Sequence, residues 1–128
     1  MSNTNNIPAP QATAETGPFW AAAAEGRLLL RRCRDCSAVH YYPRPNCPFC
    51  GGETDWVESS GRGEVYSYSL MLRADPPYVI AFVRLEEGIA MMTNIVDCEP
   101  SAIVIGMKVK VVYRPTSDGA PVPMFAPI

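Results

Sequence analysis

Four cysteines, Cys33, Cys36, Cys47 and Cys50, are spaced as C-x2-C, ten residues, then C-x2-C, in the segment CRDCSAVHYYPRPNCPFCGG. Each C-x2-C predicts a tight knuckle that aims two sulfurs at one point and turns backbone N–H groups toward them. Two such knuckles complete a tetrahedron. Four thiolates around a divalent ion leave no open coordination position, so the chemistry expected is structural, not hydrolytic catalysis, which needs a place for water. The expected metal is a structural zinc ion. The same sulfur tetrahedron holds iron in rubredoxin, and ligand identity alone does not separate the two. Two disulfides or a redox C-x2-C are disfavoured by the duplicated motif and by the reducing compartment expected of a chain without an export signal.

Other reactive side chains offer less. His40, the single histidine, lies between the knuckles; four sulfurs already saturate an ion, so it is expected as a surface or loop residue. Cys98 stands before Glu99 and Pro100 with no base placed beside it, which reads as an inert, buried or semi-buried thiol. The sequence shows no convincing pairing of nucleophile and base.

The elements that must position the cysteines are read from pattern. Residues 1–17 mix Asn, Thr, Pro, Ala and Gln without periodicity and read as a disordered tail. In PFWAAAAE, from Pro18 to Glu25, a proline suits the first helical turn, four alanines favour helix, and Gly26 ends it. Phe19 and Trp20 are expected as anchors on this chain, with docking on a partner as the alternative. The helix and a first ribbon strand fill residues 18–32, and the zinc ribbon fills 33–58.

From residue 59 onward the period becomes two. In EVYSYSLML, Tyr66, Tyr68, Leu70 and Leu72 are expected on one face, with Ser67 and Ser69 on the other. VIAFVRLE and IAMMTNIVD flank Glu87 and Gly88 as a hairpin. MKVKVVYR places Met107, Val109, Val111 and Tyr113 inward, with Lys108, Lys110 and Arg114 outward. PMFAP is a candidate last strand. Pro76, Pro77 and Tyr78 read as a shaped turn, and Met71, Met91, Met92, Met107 and Met124 as core filler. The fold expected is mainly β: a rubredoxin-like zinc ribbon with a short N-terminal helix, followed over 59–128 by a small OB-fold barrel, whose closure removes exposed strand edges.

Composition narrows the classes. The 128 residues (14.0 kDa) fit one small domain, or a metal-stapled module on one barrel, which excludes a large multi-domain enzyme. With 48% hydrophobic and 19% charged residues the chain is globular. The net charge is −2, so no bulk basic field attracts polyanions, yet residues 27–50 carry +4 and the remainder −6. No apolar run is long enough to span a bilayer and no signal peptide is recognisable at the start, so a cytoplasmic protein is expected.

The short helix with Phe19 and Trp20, the ribbon ending CPFCG, the step Gly61-Arg62-Gly63, and a barrel bearing PPY and IGMKV together resemble the DUF35 family of zinc-ribbon/OB-fold, acyl-CoA-associated proteins. The resemblance covers residues 18–128. It implies an accessory or scaffold subunit of a thiolase-superfamily enzyme acting on acyl-CoA thioesters of steroid side chains, aromatic acids or isoprenoid precursors. The partner would carry the catalytic residues, in a hetero-oligomer that shares acyl-CoA. Lys108, Lys110 and Arg114 are then candidates for CoA phosphates, although a solvated strand face accounts for them as well. The alternative function is binding of single-stranded nucleic acid, with Tyr66, Tyr68 and Phe82 stacking on bases and the ribbon arginines meeting phosphates; the acidic whole weighs against it. A small iron-sulfur electron carrier is a third reading, but it leaves the barrel unexplained.

Overall fold

The computed structural model describes residues 7–117 and 119–128. The tail expected over residues 1–17 therefore lies partly outside the described residues. Its described part passes Ser117, whose N–H bonds the Ile7 carbonyl at 3.1 Å, and ends in a Thr13–Thr16 turn. Helix α1 spans Gly17–Ala24, within a residue of expectation, with proline in its first turn. It stops where Gly26 takes a φ of 78°, a conformation that costs glycine nothing, and where Arg27 N–H returns to the Ala22 carbonyl at 2.9 Å.

Three antiparallel strands come next as the ribbon: β1 (Leu29–Cys33), β2 (Val39–His40) and β3 (Thr54–Glu58), in the order β2-β1-β3. Phe19 and Trp20 of α1 are buried against this unit, with Phe19 ring centroids 5.8 Å from Tyr41 and 5.6 Å from Tyr42. Trp20 Nε1–H donates to the Tyr42 hydroxyl at 3.0 Å. The two aromatics are thus anchors on their own chain. Burying each stabilises the helix by about 1.5–3 kcal/mol.

The barrel uses five strands: β4 (Arg62–Met71), β5 (Tyr78–Leu85), β6 (Ala90–Asn94), β7 (Lys108–Arg114) and β8 (Val122–Pro127), ordered β6-β5-β4-β7-β8. The sheet curls until its outer strands meet: Ile95 bridges Phe125, and Val96 N–H bonds the Phe125 carbonyl at 2.8 Å. Val65, Val83, Val109 and Phe125 fill the interior and join Phe19, Leu28 and Leu30 in one continuous core. Strand β5 alternates buried and open positions throughout, as its sequence predicts. Gly88, at a φ of 94°, makes the β5–β6 turn beside Glu87.

One strand departs from expectation. Val65 pairs with Val83, but Ser67, not Tyr66, pairs with Phe82. Tyr66 is therefore an extra residue in a β-bulge, and a bulge reverses the parity of every later residue in its strand. Tyr68 and Leu70 share the side of Ala81 and Val79, Val65 replaces Tyr66 in the core, and Leu72 lies beyond the strand. Tyr66, 55% exposed, instead faces outward beneath Arg84, whose guanidinium lies 4.9 Å from its ring centroid. The methionines divide as well: Met91 is buried, but Met92 is 61% exposed.

Candidate metal centre

Knuckle geometry begins with the local backbone. The turn after β1 directs the N–H groups of Asp35 and Cys36 at Cys33 Sγ (3.3 and 3.4 Å), and the second knuckle directs Phe49 N–H at Cys47 Sγ (3.4 Å). Gly52 completes the second turn because a side chain there would crowd both Cys33 Sγ and the Asp35 carboxylate. The four sulfurs lie within 4.8 Å of one another, with Cys33–Cys50 at 3.4 Å and Cys36–Cys47 at 3.7 Å. A tetrahedron built on metal–sulfur bonds of about 2.3 Å has edges of about 3.8 Å, so the donor set fits a zinc ion.

Electrostatics agree with that fit. The Cys36 and Asp35 backbone N–H groups pull Cys33 down to about 7, which favours its thiolate. Gly52 N–H likewise favours the Cys50 thiolate, but the neighbouring sulfurs Cys33 and Cys36 outweigh it and push Cys50 up to about 12. Four thiols this close resist shared ionisation unless a cation sits among them. Bound zinc would supply that charge and lock the two knuckles together. Cys33 and Cys47 are buried, while Cys36 and Cys50 face solvent.

His40 is not the surface or loop residue expected. It closes β2, is 5% exposed, and accepts the Arg44 N–H at Nε2 (3.1 Å). The Arg44 carbonyl in turn accepts from Thr54 Oγ1 (2.7 Å) and Arg31 Nε (3.2 Å). His40 thus fastens the loop between the knuckles without ligating the metal, and burial, with Arg31 and Arg44 nearby, holds its pKa below the usual value. A histidine within a C-x2-C ribbon carries no signal for this role, because its partner is a backbone N–H. Cys98 is half-buried, and burial, then Asp97 and Glu99, raise its pKa, in keeping with an inert thiol.

The cations expected to meet CoA phosphates are not all brought together. Lys108 and Lys110 project from one face of β7, with Lys108 Nζ held by Glu64 at 2.9 Å and Lys110 opposite Arg62. Arg114 lies six residues along the strand, about 20 Å away, and is ion-paired with Asp97. Arg62, Arg84 and Lys108 line a shallow cavity of about 420 Å³ with Gly63 and Glu64. In the ribbon, Arg27 pairs with Glu25 and Glu58, Arg34 with Asp55 and Glu53, and Arg31 covers the Trp56 ring at 4.4 Å. Those three arginines are already engaged. Tyr66 and Phe82 share the outer face, whereas Tyr68, although 38% exposed, lies on the opposite side beside Ala81, so the three aromatics form no single stacking platform.

A rubredoxin-like ribbon with a closed four-cysteine cluster, continuous with a five-stranded barrel, defines a zinc-ribbon/OB-fold protein. Comparison with known families agrees: residues 20–57 match the ChsH2 rubredoxin-like zinc ribbon domain and residues 56–114 match the ChsH2 C-terminal OB-fold domain. The chain belongs to the DUF35 family. It is 40% identical over 95 residues to a DUF35 domain-containing scaffold protein of Methanocaldococcus jannaschii, covering 68% of this chain and 67% of that one. It is 35% identical over 126 residues to a probable enoyl-CoA hydratase alpha subunit of Thermomonospora curvata, covering 94% of this chain but only 40% of that protein's length. Among solved structures, a chain described as "Ltp2-ChsH2(DUF35) aldolase" superposes with a TM-score of 0.80 at 35% identity, covering 92% of this chain and 98% of the other. No helix among the described residues is long and apolar enough to cross a membrane.

Proposed function

We propose that this protein is a non-catalytic scaffold subunit of an acyl-CoA-processing enzyme complex, held in shape by a structural zinc ion and joined to a thiolase-fold partner that performs thiolytic, aldol or condensation chemistry. The observation that carries the reading is the end-to-end correspondence, at 35% identity, with a DUF35 chain described as part of an aldolase. The closed donor set supports it, because four sulfurs leave a zinc ion no position for substrate or water. Acyl-CoA would be shared with the partner, its phosphates meeting Lys108 at the 420 Å³ cavity and Lys110 two residues along β7, while Arg114 stays with Asp97. The complex works in the cytoplasm.

The test is purification of the tagged chain from its own host, then acyl-CoA turnover assays on the chain, the co-purifying subunit and the complex. Turnover by the complex with none by the chain alone is expected. The reading fails if the isolated chain turns over acyl-CoA at the complex's rate, or if no enzyme subunit co-purifies in near-stoichiometric amount.

A further inference from the structure

The bulge at Tyr66 completes an exposed apolar row across the outside of the barrel. Phe82 on β5 pairs with Met92 on β6 and, on its other side, with Ser67 beside the bulged Tyr66. Past β4, Gly106 N–H to the Val65 carbonyl (2.8 Å) and Val65 N–H to the Met107 carbonyl (3.0 Å) bring the Val104–Ile105 tip alongside. The five side chains are 42–62% exposed: Phe82 42%, Tyr66 55%, Val104 57%, Met92 61% and Ile105 62%. Neighbouring strands lie about 4.8 Å apart, so the row is roughly 15 Å long. A contiguous apolar row of that extent marks an interaction site, unlike single exposed residues.

The row has a charged border on one side only. Arg62, Arg84, Lys108 and Lys110 occupy outward positions in register at the adjoining strand ends, against the carboxylates of Glu64 and Glu86. Glu64 is taken by Lys108, and Arg62 and Arg84 make no ion pair among the described residues. Tyr, Phe, Met and Arg are the residue types enriched at the centre of protein interfaces. A second copy of this chain fits poorly. Two-fold pairing would set the cationic edges against each other or against the Ile80–Asn94 end of the face, whose strand positions carry no carboxylate. Only two of the five side chains, Phe82 and Tyr66, offer a ring on which a nucleic-acid base could stack, and Arg84 already lies over the Tyr66 ring.

We propose that this outer face of the barrel, centred on Phe82, docks the enzyme subunit through an apolar surface on that subunit bordered by Asp or Glu side chains facing Arg62 and Arg84. The proposal rests on the scaffold reading of the protein's function. The row by itself is smaller than the ~800 Å² per partner of a stable interface. The cationic edge must therefore be covered too.

The experiment uses the full-length chain and the enzyme subunit that co-purifies with it. Binding is titrated at low and raised salt for the wild type, for Phe82→Glu with Met92→Glu, for Arg62→Glu with Arg84→Glu, and for Phe49→Ser at the ribbon tip. Zinc content and circular dichroism confirm that each variant is folded. Both double variants should weaken binding at least ~10-fold. The charge-reversed pair should also lose the wild type's salt sensitivity, and Phe49→Ser should stay within ~2-fold. Binding by both double variants within ~2-fold of wild type overturns the face but leaves the scaffold reading intact; recovery of no enzyme subunit overturns both. A wild-type dimer dissolved by Phe82→Glu with Met92→Glu would make the occupant a second copy. Competition by a single-stranded thymidine oligonucleotide for the same face would make it nucleic acid. Either result overturns the proposal.

Discussion

Glu87, at the tip of the β5–β6 hairpin, holds Ser59 in the linker between ribbon and barrel: its carboxylate accepts the Ser59 hydroxyl at 2.8 Å and the Ser60 N–H at 3.0 Å. Ser59 is itself buried, its N–H bonded to the Leu28 carbonyl (2.8 Å) and its Oγ accepting from Gly61 N–H (3.0 Å). One carboxylate thus ties the turn of a distant hairpin to the junction of the two units. Replacing Glu87 with Ala should cost about 1–2 kcal/mol, the worth of charge-assisted bonds at a partly buried site. Urea unfolding of the zinc-loaded protein measures this; an unchanged midpoint would show that the linker holds without the clasp.

Zinc removal should loosen the ribbon, because metal affinity and ribbon folding are the same free energy in a closed site. Cys47→Ser, or chelation of the wild type, is expected to abolish stoichiometric zinc and to shift the emission of Trp56, which lies on β3 beneath Arg31. Retention of full zinc content by both Cys33→Ser and Cys47→Ser would refute the four-sulfur site. Red colour with a reversible one-electron wave would identify iron in place of zinc.

His40 makes stability depend on pH in one direction. Its folded pKa is held below 6.5 by burial, then by Arg31 and Arg44, so the unfolded chain binds the proton more readily. The contribution is complete above about 6.5 and is lost as pH falls through the folded value. His40→Gln keeps an acceptor for Arg44 N–H but does not titrate. Unfolding midpoints of the two zinc-loaded proteins should therefore differ by a constant above pH 6.5 and converge below it; parallel curves throughout would exclude His40 as the titrating group.

Gly63 is required by packing. A Cβ there would strike the Arg84 carbonyl and the Val83 side chain on the neighbouring strand β5, and neither can move without disturbing the ladder. Gly63→Ala should cost about 1–3 kcal/mol, as for other overpacked cores. Gly88→Ala, whose Cβ would meet nothing but whose φ is 94°, should cost less or a similar amount through strain alone. Equal thermal midpoints for Gly63→Ala and the wild type would contradict the tight approach of β4 and β5.

Much of this architecture is written locally. The cysteine spacing determines four ligands for one metal, the run PFWAAAAEG determines a helix and its end, and period-two patterning with Glu87-Gly88 places the barrel strands and a hairpin, because each depends only on residues near in sequence. Tertiary structure decided what depends on distant partners. Whether Tyr66 or Val65 enters the core turned on a bulge opposite Phe82; whether His40 was surface or interior turned on the Arg44 backbone; and whether Arg114 stayed unpaired turned on Asp97. Alternation tells which residues share a face only while the register is unbroken. A bulge, a backbone donor and an ion pair are non-local, so they emerge only once the chain has closed on itself.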